Sequence, residues 1–439
     1  MLNLRPYQQE AIDAIEYEFT QRQSQYIELP TGSGKTVTFL SYAKKRHSKI
    51  LIIVPTKELL KQVYEASLKF YDKSQISRKG SNFDEFPKDV HICIINSVRQ
   101  AYLDHISHCN FDLIIVDEAH HIQANSYLRL LKTFSHVKTL GVTATPDRAD
   151  GKFIQSLLGE HSYKIECSEL IHQGFLSDIE GYVVKTGIDI SEIDDHNSDF
   201  SLNELYKKLC TESRNKMIVD LCKDEMRNRK TLIFCINVAH SKKISELLSK
   251  EKISCAHIDG STNNTARNSI LSSFREGEIS CLCNCQLLTE GFDEPSIDGI
   301  ILARPTKSRA LFNQMIGRGL RIFPGKENCK IIDVVDNHRN LRGFNSLITD
   351  EKRNEITSFK GIKQVEEHVN WESFKLIEFS IERADLIKQR LINYAEATPS
   401  MLEYLDNHKI RYFDPISFDE ASFLIWFNEL KKEYDNGNY

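Results

Sequence analysis

A chain of 439 residues is longer than one compact core serves and points to two or three domains. With 41% hydrophobic and 27% charged residues, 19 glycines and 10 prolines, its composition is that of a folded globular protein and excludes a disordered or fibrous one. Net charge is −5 and unevenly placed, 12 Lys+Arg against 18 Asp+Glu in residues 346–439 and 45 against 44 before them, so bulk basicity is excluded as a way of holding a polyanion.

The amino terminus, "MLNLRPYQQEAI", lacks the basic-then-apolar order of a secretion signal. The longest apolar runs, "ILIIVP" (Ile50 to Pro55) and "LIIV" (Leu113 to Val116), fall far short of the roughly 20 residues of a membrane span. A cytoplasmic location with no membrane contact is expected, and the 11 scattered cysteines are expected to be reduced thiols.

Between residues 25 and 146 the β-rich runs "QYIEL", "KILIIV", "VHICII", "FDLIIVD" and "TLGVTAT" alternate with amphipathic or polar stretches, which predicts a parallel sheet covered by helices. "KILIIV" and "FDLIIV" are apolar on both faces, as strands buried from both sides must be. The pattern returns in "TLIFCI", "SCAHID", "ISCLCNC", "IDGIILA" and "CKIIDVVD" and predicts a second domain of the same architecture. Residues 187–215 are acidic and polar without a clear strand pattern and read as an insertion or helical excursion within the start of the second domain. From residue 346 apolar residues recur at helical spacing, as in "FKLIEFSIERADLIKQRLINYA". The expected fold class is α/β, with parallel-sheet domains over 1–165 and 166–345 and a helical C-terminal region over 346–439, whose acidity makes it a candidate protein contact.

"YIELPTGSGKT" is a strand, a glycine-rich turn and a helix beginning near Lys35. Such a P-loop turns backbone N–H groups onto phosphates; Lys35 reaches the β and γ phosphates of ATP, and Thr36 offers a hydroxyl to Mg²⁺. Leu29 stands where the strict pattern has its first glycine. "LIIVDEAHH" ends a buried strand in two carboxylates, of which Asp117 suits the Mg²⁺ shell and Glu118 the activation of water.

In order and spacing, "LPTGSGKT", "DEAH", "TATP" (Thr143 to Pro146) and "QMIGRGLR" (Gln314 to Arg321) resemble the superfamily 2 helicases, and with "LRPYQQEAI" the XPB-like branch, over residues 2–340. The resemblance implies two RecA-like domains in tandem and assigns further roles. Arg5 and Gln8 would meet the adenine, and Pro30, Thr31, Gly32, Ser33 and Gly34 would cradle the phosphates with Lys35 and Thr36. Pro55 and Thr56 would hold nucleic-acid phosphates. Thr143 and Thr145 would bond across the cleft, with His120 linked to Gln314. Arg318 and Arg321, three apart on one helix face with Gln314 a turn earlier, would reach the γ phosphate. Gly260 and Ser261 would touch the strand. "LLTEGFDEP" would bring Thr289 to the nucleic-acid backbone, with Gly291 allowing close approach and Asp293 turned toward the ATP ribose or the arginines at 318 and 321.

The implied activity is nucleic-acid-stimulated ATP hydrolysis that drives a helicase or translocase, on DNA rather than RNA, in repair, recombination or replication. An RNA helicase, the motor subunit of a restriction system and a scaffold without catalysis are the competing readings. Cys281, Cys283 and Cys285 alternate on one strand without the second ligand pair that zinc requires, so they are expected to pack as small apolar side chains.

Overall fold

The computed structural model describes residues 3–146, 154–193, 195–196, 199–285, 294–337 and 375–380. Its first sheet is built from β1 (Ser24–Glu28), β2 (Ile50–Val54), β3 (Ile76–Gly80), β4 (Phe83–Asp84), β5 (Val90–Ile94), β6 (Leu113–Asp117), β7 (Lys138–Thr143) and β8 (His161–Lys164). They run in the order β4-β3-β5-β2-β6-β7-β1-β8, parallel except for the β3–β4 pair. Around them lie α1 (Pro6–Glu18), α2 (Lys35–Arg46), α3 (Lys57–Ser67), α4 (Gln100–Ile106), α5 (Asn125–Thr133) and α6 (Gln155–Leu158). Every residue of β2, β5 and β6 is buried, because helices cover both faces of the sheet.

After α7 (Cys167–His172) comes a second sheet of β9 (Asp178–Asp189), β12 (Thr231–Phe234), β13 (Cys255–Ile258), β14 (Cys281–Asn284), β15 (Gly299–Leu302), β16 (Asn328–Asn337) and β17 (Lys375–Ser380). Its order is β13-β14-β12-β15-β16-β9-β17, and only β17 runs antiparallel, against β9. A short hairpin, β10 (Asp195–His196) and β11 (Asp199–Phe200), precedes α8 (Leu202–Leu209) and α9 (Glu212–Glu225). The remaining helices are α10 (Val238–Lys250), α11 (Asn264–Glu276) and α12 (Arg309–Gly317).

One apolar cluster runs from Phe39, Val54 and Leu140 in the first domain through Leu170 and Leu176 to Phe234, Met315 and Ile331 in the second. The two domains therefore share buried surface next to the P-loop. The opposite faces of the sheets have their own cores, around Ile114 and Val116 in one and Ile233 and Ile301 in the other. Among the described residues no helix is long and apolar enough to cross a membrane.

The α/β class and both runs of parallel strands match the sequence expectation. Three details differ. Residues 187–215 hold helix, α8, as one of the two expectations had it, but also strand, the end of β9 and the β10–β11 hairpin, and they pack Ile190, Phe200, Leu205 and Leu209 on Ile236. In the tail read as helical, Lys375–Ser380 is a strand, since six residues with apolar positions at 376, 377 and 379 fit either period and pairing to β9 decides; the rest of 346–439 lies outside the described residues. Finally, Arg318 and Arg321 do not share a helix face. α12 stops at Gly317, Arg318 is its C-cap, and Gly319 N–H bonds Ile316 at 2.9 Å, so the chain leaves the helix where two glycines weaken it.

Candidate active site

The P-loop connects β1 to α2 through Leu29–Gly34. Gly32 and Gly34 have φ of +89° and +88°, a left-handed backbone that glycine adopts without strain. Space is tight as well: a Cβ on Gly34 would lie 2.7 Å from Gln8 Nε2, and one on Gly32 would lie 3.3 Å from Leu176 Cδ2 and 3.4 Å from Arg321 Cγ. The loop is thus held between α1 and the second domain. The Lys35 ammonium rests on the Leu29 carbonyl at 3.4 Å, a long bond that yields readily to a better acceptor. The hydroxyls of Thr31 and Ser33 are buried with no hydrogen-bond partner, a polar cradle that a phosphate-bearing ligand would complete.

Gln8 fixes the loop from the α1 side. Its Nε2 donates to the Ser33 carbonyl at 3.0 Å and its Oε1 accepts the Arg5 N–H at 3.0 Å. Tyr7, which the sequence reading passed over, donates its hydroxyl to the same carbonyl and packs edge-on against Phe175, centroids 5.2 Å apart. The Arg5 guanidinium bonds the Phe175 carbonyl and the Tyr7 hydroxyl, each at 3.1 Å. Arg5 therefore ties α1 to the segment that leads into the second domain.

Opposite the loop, β6 delivers Asp117 and Glu118, 3% and 7% exposed. Glu118 has φ 50° and ψ 51°, a conformation that costs a non-glycine residue about 1–3 kcal/mol and concentrates at functional sites. Asp117 Oδ1 accepts the Glu118 N–H at 3.0 Å. Burial pushes the Glu118 carboxyl up, but the charges of Lys35, His120, His121 and Arg318 hold it below the ordinary carboxylate value, so it is ionised at neutral pH. Its Oε2 lies 3.4 Å from His120 Nδ1 and makes no hydrogen bond.

His120 Nδ1 is 3.1 Å from Thr143 Oγ1, which donates to the Thr145 carbonyl at 2.8 Å and accepts the Thr145 N–H at 3.2 Å. With the Thr143 hydroxyl proton committed, Nδ1 must be the donor to Thr143. His120, Thr143 and Thr145 are thereby linked within the first domain, whereas the sequence expectation had the threonines bonding across the cleft; a hydroxyl at the end of β7 closes on its own turn more cheaply than on a separate domain.

From the second domain, Ser308 caps α12 by accepting the Leu311 N–H at 3.2 Å. Along that helix Gln314 is 6% exposed, Gly317 abuts Thr31, and Arg318, 5% exposed, acts on Glu118. Arg321 reaches Gly32 although it lies beyond the helix. For Mg²⁺, the Thr36 hydroxyl and the Asp117 carboxylate are hard oxygen donors, and a magnesium site shared with phosphates needs only one or two from the protein. Among the described residues no group of three or more His, Cys, Asp or Glu side chains gathers for a metal.

Of the nucleic-acid candidates, Thr56 follows Pro55 at the end of β2 and caps α3, accepting the Leu59 N–H at 3.3 Å. Gly260 follows β13 in an open turn, where a Cβ would meet nothing within 4 Å. Thr289, Gly291 and Asp293 lie outside the described residues. Cys281 and Cys283 are core residues, and Cys281 Sγ sits 3.3 Å from Cys222 Sγ, thiol against thiol. Sequence reasoning also missed Glu58 with Arg267 and Asp199 with Arg304, ion pairs whose partners lie far apart in the chain.

A P-loop in one parallel-sheet domain, faced by buried arginine from a second, defines a two-domain nucleotide-binding architecture with a split site. Comparison with known proteins agrees. The family model "Type III restriction enzyme, res subunit" matches residues 1–148, and "Helicase conserved C-terminal domain" matches residues 213–323. "Putative ATP-dependent helicase IRC3" of Saccharomyces cerevisiae is 33% identical over 354 residues, 76% of this chain and 51% of that protein. "DNA 3'-5' translocase XPB2" of Sulfurisphaera tokodaii is 25% identical over 361 residues, 73% of this chain and 79% of that protein. The solved structure "ATP-dependent Type ISP restriction-modification enzyme LlaBIII bound to DNA" superposes with a TM-score of 0.57 at 19% identity, covering 76% of this chain and 28% of that one, a likeness of fold. The chain thus carries both domains of a superfamily 2 helicase and is similar to members of the XPB-like branch, and its two α/β domains are RecA-like in fold. It spans about half the length of the yeast helicase that it matches.

Proposed function

We propose that the protein is an ATP-dependent helicase or translocase that acts on DNA. The observation that carries this reading is the split site: Glu118 and the P-loop in one domain, Arg318 and Arg321 brought to them by the other. ATP is the substrate, with its phosphates on the N–H groups of Gly32 to Thr36 and its adenine beside Gln8 and Arg5. Thr36 and Asp117 would hold Mg²⁺, which would neutralise charge on the phosphates when bound. Glu118 accepts the proton of the attacking water, Lys35 and Arg318 stabilise charge on the transferred phosphoryl group, and Gln314 lines the same face. Because both halves of the site are needed, turnover is tied to closure of the cleft, and a strand held on Pro55, Thr56 and Gly260 is advanced as the cleft opens and shuts. Contacts to phosphate and sugar give little sequence preference and a marked dependence on salt.

The match to the restriction-enzyme family model favours one second reading, a motor that works with a separate nuclease partner. ATP hydrolysis measured with single-stranded DNA, forked DNA, four-way DNA and RNA tests the proposal. Stimulation greatest with DNA is expected; stimulation by none of them rejects the motor, and stimulation by RNA alone rejects the choice of DNA.

A further inference from the structure

Lys326, in the stretch between α12 and β16, turns back onto the segment that carries the arginines. Its ammonium donates to the carbonyls of Ile297 at 2.6 Å and Arg321 at 2.8 Å, and to that of Gly319 as well. An ammonium has three donors, and here all three go to peptide oxygens. Gly319 and Arg321 belong to the segment that leaves α12, whereas Ile297 lies just ahead of β15 in the sheet. The lysine therefore pins the arginine-bearing segment to the sheet of its own domain. From another side Ser177, just ahead of β9, donates its N–H to the Leu320 carbonyl at 2.7 Å and its hydroxyl to the Arg321 carbonyl at 3.1 Å. The Arg321 carbonyl thus accepts from both holds.

We propose that Lys326 is a positioning residue for ATP hydrolysis: it fixes the backbone of Gly319 and Arg321 so that the Arg321 side chain is presented to the phosphates, with Ser177 as the second hold. The inference rests on the split ATP site proposed above and adds to it the residue that keeps one half in place.

The local chemistry supports this. Carbonyls released where a helix ends need new donors, and a single ammonium supplies them here. The chain leaves α12 between Gly317 and Gly319, so the segment has little stiffness of its own. Burial, helped by the like charges of Arg321 and Arg229, pulls the Lys326 pKa below the ordinary lysine value, as befits an ammonium drawn out of water onto peptide oxygens. That like charge also disfavours folding of the Arg321 guanidinium back over its own turn. The side chain runs toward the P-loop instead, its Cγ 3.4 Å from where a Cβ on Gly32 would stand. At so close an approach a small shift of the Arg321 backbone is a shift at the phosphates.

The test measures steady-state ATP hydrolysis of the full chain, with whichever nucleic acid stimulates it most, alongside urea unfolding. Lys326→Met keeps the stem and removes the donors. It should lower kcat about tenfold to a hundredfold, the scale of a misplacement of about 1 Å, while KM for ATP changes less than about twofold, because the arginine acts in the transition state. Ser177→Ala, a smaller change, should lower kcat about threefold in the same pattern, the worth of one hydrogen bond. The deciding comparison adds each change to Arg321→Gln. Positioning through Arg321 predicts that Lys326→Met costs less than about threefold once the arginine is gone, and that Ser177→Ala then costs nothing further. Full multiplication of the effects, or a loss of stability at Lys326→Met with kcat unchanged, would make the lysine a structural prop and overturn the proposal, as would an Arg321→Gln variant as active as the unaltered protein. Should Lys326→Met not fold, the Ser177→Ala comparison decides. An unaltered protein that hydrolyses no ATP with any nucleic acid would instead overturn the proposed function.

Discussion

Gly317 of the second domain lies so close to Thr31 of the P-loop that a Cβ on the glycine would stand 2.6 Å from Thr31 Cγ2. The β-branched Thr31 side chain has little room to turn away, so any larger residue at 317 must push the domains apart. Gly317→Ala should therefore fold but lose about tenfold or more in ATP turnover, because a misplacement of about 1 Å at a catalytic constellation costs on the order of a hundredfold at worst. Gly319→Ala is the control. Its Cβ would run into Cys329 and Ile300 inside the second domain, so it should lose roughly 1–3 kcal/mol of stability by overpacking. Steady-state ATPase and urea unfolding of both variants separate the two effects; equal unfolding losses would show that Gly317 is merely packed.

Glu118 is placed as a base that does not wait for a proton to leave. Cationic neighbours keep its carboxylate ionised in a buried site, and its Oε2 has no hydrogen bond to surrender before it meets water. Glu118→Gln keeps the shape and removes the basicity, so it should bind ATP as before and hydrolyse it at least about a hundredfold more slowly. Turnover at the unaltered rate would show that another group is the base.

What could be read from the sequence was what is written locally. The P-loop glycines, the Asp117–Glu118 end of β6 and the doubly apolar strands declare themselves through neighbours in the chain. β8, with the sequence "HSYK", and β9, with charged residues and two glycines, are strands because parallel partners take up their backbone bonds, which no apolar pattern announces. Spacing alone put Arg318 and Arg321 on one helix, and only the exit of the chain at Gly317 shows that they reach the site from different segments. Glu58 and Arg267 are 209 positions apart, and nothing in either neighbourhood hints at the other.

The polar insertion has a structural task that its composition hid. A single carboxylate, Asp199 on β11, accepts from Arg304 Nη2 at 3.1 Å, Thr306 Oγ1 at 2.9 Å and the Lys307 N–H at 2.9 Å. Arg304 is 4% exposed, and its Nε and Nη1 have no hydrogen-bond partner, so Asp199 is the main compensation for a buried charge. Asp199→Ala should cost about 3 kcal/mol, the usual penalty for orphaning one half of a buried pair. Urea unfolding measures it; a loss below about 1 kcal/mol would mean that Arg304 finds other solvation.

A buried histidine sets an acid limit on stability. His240, with no exposed surface, accepts the Ile236 N–H on Nδ1 at 3.2 Å, which leaves Nε2 to donate to Asn215 Oδ1 at 3.1 Å. Both bonds require the neutral ring. Burial, helped by the charge of Arg214, pushes the pKa down to about 3. Because the folded value lies below the unfolded one, the unfolded chain takes up the proton first as pH falls, and stability is lost from about pH 6.5 downward toward pH 3. At pH 5 this one residue should have removed about 2 kcal/mol relative to pH 7.5. His91, whose pKa burial lowers to about 4, adds to the decline but is unaffected by a change at 240. His240→Gln should therefore lose stability less steeply than the unaltered protein between pH 7.5 and 5, whatever its starting value. Urea unfolding at the two pH values decides the matter, and parallel declines would show that His240 is charged in the folded state.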